Sequence, residues 1–202
     1  MIPEYLKKNL DLFRAGEYSL VLNRGETVFI EEDAEEGRAG LEGFFENDAI
    51  VFHFPEKRTL PYLDAQKRAC QCADKFLFIK SDSDETWKLH ILEFKKSIKY
   101  DKWKKARNQF KFGIMNARAL AAFLKIEIDE IILETAYRNN WMPRSGLRSS
   151  TEMRAANSTS ELKAYREWAG DFVTLEVDAK IQRFPHFKIQ LDEAGNGKKV
   201  FV

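Results

Sequence analysis

Two charged residues, Glu93 and Lys95, stand at the end of an otherwise apolar run, Trp87 to Lys95. In an extended strand side chains alternate between faces, so Leu89, Ile91, Glu93 and Lys95 share one face while His90, Leu92, Phe94 and Lys96 share the other. A carboxylate and an ammonium two positions apart on a hydrophobic strand are costly to bury unless each meets a compensating charge, another polar partner or a metal ion. Asp74 lies just before a second apolar run, Phe76 to Ile79. The polar connection Ser81-Asp82-Ser83-Asp84-Glu85 suits a tight turn between antiparallel neighbours. Pairing the two runs in that way brings Asp74 to the Glu93 end of its partner, so that two carboxylates and a lysine converge.

The elements that must position this trio follow in order. A long helix is predicted over about Tyr100 to Lys125, with Trp103, Phe110, Ile114, Ala117, Leu120 and Leu124 on one side. Its second half also carries Met115, Ala119, Ala122 and Phe123, and is expected to be buried almost all round. Glu127 to Tyr137 holds Ile128, Ile131, Ile132 and Thr135 and is predicted as a further central strand, which a helical crossover allows to be parallel to the Glu93 strand.

With the order strand, turn, strand, helix, strand in place, the pattern D-x18-E-x-K formed by Asp74, Glu93 and Lys95 resembles the PD-(D/E)XK nuclease superfamily. The resemblance covers about 73–137. It implies an α/β fold with a restriction-endonuclease-like αβββαβ core and a mixed central sheet, here with added N- and C-terminal strands. Members resembling the RecB nuclease branch carry a glutamine in the helix after the lysine strand, and Gln109 in Arg107-Asn108-Gln109-Phe110 matches it, with Lys105, Gly113 and Asn116 on the same stripe. The resemblance further implies Mg²⁺ or Mn²⁺ held by Asp74, Glu93 and the carbonyl of Phe94, hard oxygen donors suited to such ions. Lys95 would then orient the attacking water and stabilise charge on the phosphate, and Gln109 would position Lys95 or a phosphate oxygen. Nucleic acid is the implied partner, DNA ahead of RNA, with a homodimer as the common assembly; separately, the sparse cysteines, Cys70 and Cys72, point to a reducing, cytoplasmic compartment. Two departures stand out: Ala73 precedes Asp74 where the family often has proline, and Glu42, Glu46 and Asp64 compete for the upstream acid without spacing favouring one. The competing reading makes Glu93 and Lys95 an ordinary ion pair at a sheet edge, with Asp74 as a cap. A protein of that kind would be a non-catalytic nuclease-fold module binding nucleic acid or protein.

The chain has 202 residues, with 33 Lys+Arg against 32 Asp+Glu and a formal charge of +1, so attraction to nucleic acid must come from local distribution. From Phe94 to Lys125 the sequence holds ten basic residues, among them Lys96, Lys99, Lys102, Lys105 and Arg107, against Asp101 alone. These five are the candidate phosphate contacts. Trp103 and Tyr100 lie among the lysines; Trp103 is in phase with Phe110 and Ile114 and is expected in the core, not stacked on bases. Arg144, Arg148 and Arg154 form a second basic stretch.

The remaining sequence reads as scaffold. A short helix is expected over about 3–15, followed by a hairpin of Tyr18–Asn23 with Thr27–Glu32. The acidic stretch Glu31 to Asp48 reads as a solvated loop, Ala49 to Phe54 as a strand, and Leu60 to Ala73 fits neither period. A capping box at Ser158–Glu161 opens a helix through Trp168, and strands follow at Phe172–Val177, Phe187–Leu191 and Lys199–Val202. Hydrophobic residues at 44% support one folded domain over 1–202, with its motif core at about 49–137 and a β-rich extension over about 160–202. Cys70 and Cys72 are too close for a disulfide framework. His53, His90 and His186 lack paired ligand spacing and are expected to be packed or on the surface. No apolar run is long enough for a membrane span, and the first residues lack a signal-peptide pattern, so an unexported protein is expected.

Overall fold

A computed structural model of the chain describes residues 2–13, 19–34, 37–53, 72–82, 85–142 and 159–202. The described elements are helices α1 (Glu4–Leu10), α2 (Tyr100–Leu124) and α3 (Thr159–Ala169). The strands are β1 (Ser19–Leu22), β2 (Thr27–Ala34), β3 (Gly37–Phe45), β4 (Ala49–His53), β5 (Lys75–Lys80), β6 (Trp87–Ile98), β7 (Ile128–Asn140), β8 (Phe172–Val177), β9 (Lys180–Gln190) and β10 (Asn196–Phe201). The result is an α/β fold built on a mixed seven-stranded sheet in the order β1-β4-β5-β6-β7-β9-β8, with a separate three-stranded sheet β10-β3-β2.

Strands β1, β4, β5 and β6 form a run in which each is antiparallel to the next. The α2 crossover then returns the chain so that β7 lies parallel to β6, and β9 lies parallel to β7. Alternation along the strands divides the interior into two layers. Phe76, Phe78, Leu89, Ile91 and Leu133 pack under α2 with Trp103, Phe110 and Ile114, joined by Leu6 and Leu10 of α1 and Trp168 of α3. On the other face Leu77, Ile79, Leu92, Phe94 and Ala136 meet Leu41, Phe45 and Phe201 of the small sheet. The α2 helix ends in a Schellman motif: Lys125 adopts φ 59° and Ile126 N–H donates to the Ala121 carbonyl at 2.8 Å.

Three expectations are corrected. Strands β1 and β2 do not form a hairpin, because β1 pairs with β4 and β2 with β3, in different sheets. The turn at Gly25, with φ 83°, instead hands the chain from one sheet to the other, anchored by Gly25 N–H on the Phe45 carbonyl and Arg24 N–H on Asp48. The acidic stretch is not a loop: it contains the β2–β3 pair, where Leu41 and Phe45 alternate inward and Glu42 outward. Finally, Met115 and Phe123 on the outer side of α2 are 42% and 52% exposed, so its second half packs on one face only.

The two sheets are joined by buried charge as well as by apolar contact. Lys75 of β5 donates to Glu32 of β2 at 2.8 Å and to His53 Nδ1 at 2.6 Å. Glu134 of β7 is fully buried and accepts from His90 Nδ1 at 2.8 Å and from Lys199 of β10 at 2.7 Å. Burial works to raise the Glu134 pKa, but His90 and Lys199 outweigh it and hold the carboxyl below its ordinary value. Replacing Lys199 by methionine removes half of this compensation and is expected to cost about 3 kcal/mol. Adding Glu134→Gln to Lys199→Met should recover much of the loss; urea unfolding of the single and double variants measures the difference, and equal losses would show that Lys199 acts through packing alone.

Candidate functional site

The β5–β6 hairpin sets the first part of the site. Lys75 is paired with Leu92, so the position before it falls opposite Glu93, and Asp74 occupies that position. Asp74 is buried, and its Oδ2 accepts the backbone N–H of Phe94 at 2.8 Å, which fixes the peptide between the two charged residues of the motif. The hairpin is held at its other end by Ser81 N–H on the Thr86 carbonyl, and by the Ser81 and Thr86 hydroxyls on Asp129.

Helix α2 supplies the second part. Gly113 is where it comes closest to the sheet: a Cβ there would stand 3.3 Å from Ile91 Cγ2 and 3.5 Å from the backbone nitrogen of Ala73. That approach brings buried Gln109, one turn earlier, over the end of β6. Lys95 Nζ lies 3.2 Å from Gln109 Oε1 and 3.3 Å from the Phe94 carbonyl, and it forms an ion pair with Glu93 Oε1. Glu93 has no exposed surface, and the Lys95 side chain is 11% exposed. Asp74, Glu93, Lys95 and Gln109 are therefore brought together at one place on the helix-covered face. The pair does not sit at a sheet edge, since β6 is the fourth of the seven strands.

The donor set is all oxygen: two buried carboxylates, the Phe94 carbonyl and the Gln109 amide oxygen. Three of these already cradle a cation, the Lys95 ammonium. Oxygen donors of this kind fit Mg²⁺ or Mn²⁺ better than Zn²⁺, which favours nitrogen and sulfur. Among the described residues no three His, Cys, Asp or Glu side chains gather as a ready metal site, so the carbonyl and water would have to complete the coordination. Of the candidates for an upstream acid, Glu42 pairs with Lys198 on the small sheet, Glu46 is exposed, and Asp64 lies outside the described residues.

The structure shows the surroundings of Thr135, expected in a central strand, and of His186, expected to be packed or on the surface and here packed. Thr135 of β7 is opposite Glu93 in the parallel register and is fully buried. Its hydroxyl pairs with His186 Nε2 at 2.9 Å, and His186 is enclosed by Trp103, Phe110 and Trp168. Desolvation, aided by the Lys188 charge and opposed by Glu134, pushes the His186 pKa down to about 3. The imidazole is therefore neutral at pH 7. The available signal was the alternation Phe184, His186, Lys188, which puts His186 on one face of β9 with a hydrophobic neighbour. Glu134 offered a plainer one, a single charge in the run Ile131-Ile132-Leu133-Glu134.

Of the proposed phosphate contacts, Lys96, Lys99 and Lys105 are exposed and Lys102 is half-buried. Arg107, with its side chain 37% exposed, donates to the Thr174 carbonyl at 2.8 Å, and its Nε lies 2.9 Å from Glu167. Arg107 thus joins α2 to α3 and β8, and part of its charge is matched within the protein. Trp103 is fully buried and donates to Glu167 at 3.2 Å, as its phase in the helix requires. Tyr100 is half-buried, with its hydroxyl on Ser160. Arg144, Arg148 and Arg154 lie outside the described residues, as does Cys70, while Cys72 is buried. No described helix is long and apolar enough to cross a membrane.

The neutral state of His186 has a pH consequence. Its folded-state pKa lies below the unfolded value, so the unfolded chain binds a proton that the folded chain refuses. Stability is fully present above the ordinary histidine range and falls as pH drops from about 6.5 towards 3, by about 1.4 kcal/mol per pH unit for this one group. His186→Gln should lose less stability than the parent protein between pH 7 and pH 5, as read by urea unfolding at both values; parallel losses would place the sensitivity elsewhere. The chain matches no family model, and neither a curated protein nor a solved structure matches it.

Proposed function

We propose that the protein hydrolyses phosphodiester bonds in nucleic acid, DNA ahead of RNA, with Mg²⁺ or Mn²⁺ held by Asp74, Glu93 and the Phe94 carbonyl. The observation that carries this reading is the convergence, in the middle of the sheet, of a fully buried carboxylate, a lysine and a glutamine from the covering helix, next to the aspartate that opens the neighbouring strand. The topology supports it. Three antiparallel strands β4, β5 and β6, then α2, then β7 parallel to β6, correspond in order and direction to the βββαβ part of the restriction-endonuclease-like core. Helix α1 packs on the same face as α2, but β1 to β3 intervene between it and β4.

In this reading the divalent ion supplies the charge that neutralises the scissile phosphate and lowers the pKa of a bound water. The chain's own contribution is positional. Glu93 holds Lys95 close, and Gln109 Oε1 fixes the ammonium from the other side. With the Phe94 carbonyl serving the metal, the N–H that Lys95 gives it would be free to donate to the attacking water or to a non-bridging phosphate oxygen, stabilising charge in a site with little solvent. Asp74, by accepting the Phe94 N–H, turns the 93–95 backbone so that the Phe94 carbonyl and the Glu93 side chain serve the same cation. The water oxygen forms the new bond to phosphorus as the bond to the leaving sugar oxygen breaks. Exposed Lys96, Lys99 and Lys105, with half-buried Lys102, supply the surrounding positive potential.

One observation favours the alternative of a non-catalytic module. The Glu93–Lys95 pair is neutral by itself, and Asp74 accepts a backbone donor, so the cluster satisfies much of its own electrostatics. The test is incubation of the purified protein with labelled single- and double-stranded DNA and RNA in Mn²⁺, Mg²⁺ or EDTA. Glu93→Gln and Lys95→Met are expected to lower metal-dependent cleavage by at least about 10²-fold, and Gln109→Ala by about tenfold. Thermal melting of each variant separates lost chemistry from lost folding, because removing either partner of a buried pair costs about 3–5 kcal/mol. Binding without cleavage in any metal, retained in Glu93→Gln, would favour the non-catalytic module.

A further inference from the structure

Strands β6, β7 and β9 run parallel and side by side, so their carboxyl ends open along one edge of the sheet, where open α/β sheets commonly receive ligands. The registers align their side chains in rows. Glu93 lies beside Thr135 and Thr135 beside Lys188; Lys95 lies beside Tyr137 and Tyr137 beside Gln190; Ser97 lies beside Asn139. Alternation puts all of them on the face that carries Glu93 and Lys95. The candidate site is therefore one end of a polar grid that spans three strands.

Beyond Lys95 the grid runs into a cleft of about 420 Å³, lined by Tyr137, Asn139, Lys188 and Gln190, with Trp168 at the end of α3 as its wall. The Lys188 ammonium donates to the Trp168 carbonyl at 3.0 Å and the Gly170 carbonyl at 2.6 Å, carbonyls that the end of a helix leaves without partners. The cation is thus held in place, with one of its three donors left for a ligand; the Asp171 carboxylate is 3.9 Å away and largely exposed. The amides of Asn139 and Gln190 are exposed and make no hydrogen bond with other described residues. Trp168 and Tyr137 are both buried and offer no open ring face for stacking. The cleft presents the fixed Lys188 cation and the Asn139 and Gln190 amides, each able both to donate and to accept; of its other polar lining residues, Asn140 already accepts from Met142 N–H and Arg138 donates to the Arg38 carbonyl.

We propose that this cleft binds the nucleotide next to the scissile phosphate, with Lys188 taking its phosphate and the Asn139 and Gln190 amides hydrogen-bonding its base or sugar. The proposal rests on the reading that places the scissile phosphate at Lys95. Gln190 is two strand spacings from Lys95, about 10 Å across the sheet, so a ligand that reaches both must extend along the grid as a polynucleotide does. A small monoanion would fill only one end.

The test is fluorescence anisotropy of labelled eight-nucleotide DNA and RNA, single-stranded and duplex, in EDTA, with Lys188→Gln, Gln190→Ala and Asn139→Ala beside a Lys180→Ala control at the far end of β9. Lys188→Gln is expected to weaken binding about tenfold and each amide variant about threefold, with the control unchanged. In cleavage assays the amide variants should raise KM and leave kcat within about twofold. Because Lys188 also caps α3, the amide variants decide: if both bind all octamers like the parent protein, the cleft is not a nucleotide site. Octamer binding that weakens in the amide variants, with no cleavage in any metal, would uphold the cleft and overturn the nuclease. Cleavage lost in Glu93→Gln but with unchanged KM in the amide variants would uphold the nuclease and overturn the cleft.

Discussion

A carboxylate with no solvent exposure lies in the fourth of seven strands, and much of the local architecture serves to make that tolerable. Glu93 cannot be buried as an isolated ion, so a cation must accompany it, and the nearest position on the same face is Lys95. A lysine there needs further acceptors. The Phe94 carbonyl and Gln109 provide them, and Gln109 reaches the strand only because α2 approaches closely at Gly113. Asp74 then holds the intervening peptide from the neighbouring strand. Helix spacing, hairpin register and strand order are all tied to one charge.

The opposite face of the sheet follows the same rule with different partners. Glu134 and Lys75 are buried there, and each finds part of its compensation on the small sheet, at Lys199 and Glu32. Buried ion pairs are weak sources of net stability, but an incorrect docking of the small sheet would leave charges unmatched at considerable cost. These pairs therefore act chiefly on which arrangement is chosen, while Leu41, Phe45, Phe201 and their neighbours provide the attraction.

Much of this was legible in the amino-acid sequence. The β5–β6 hairpin, α2 and parallel β7 could be read from periodicity and turn composition, and Asp74, Glu93 and Lys95 from their spacing, while Gln109 followed from the family resemblance alone. The misreadings share a physical cause. Local patterns show that β1 and β2 are extended but not which strands they pair with, a choice made by residues far away in the chain. The acidity of 31–48 concealed a period of two, because the outward face of β3 carries Glu42 while Leu41 and Phe45 turn inward. Apolar side chains such as Met115 and Phe123 can stay exposed on a helix whose other face already fills the core. The Thr135–His186 contact was not legible because neither residue is unusual in its own strand; the polar grid exists only once three strands lie in register.

The parallel pairing of β10 with β3 places Asn196 beside Gly40, so the last strand of the chain completes a sheet begun near its start. During synthesis β7 is made long before Lys199 emerges. Until then Glu134 has His90 but not Lys199 beside it, and the cover over that side of the large sheet lacks Phe201. Both faces of the large sheet close over long sequence separations, the helix-covered one from Leu6 to Phe184 and the other from Leu41 to Phe201, pairings whose loop closure slows folding. The topology thus makes full compensation of Glu134 depend on the pairing of β10 with β3.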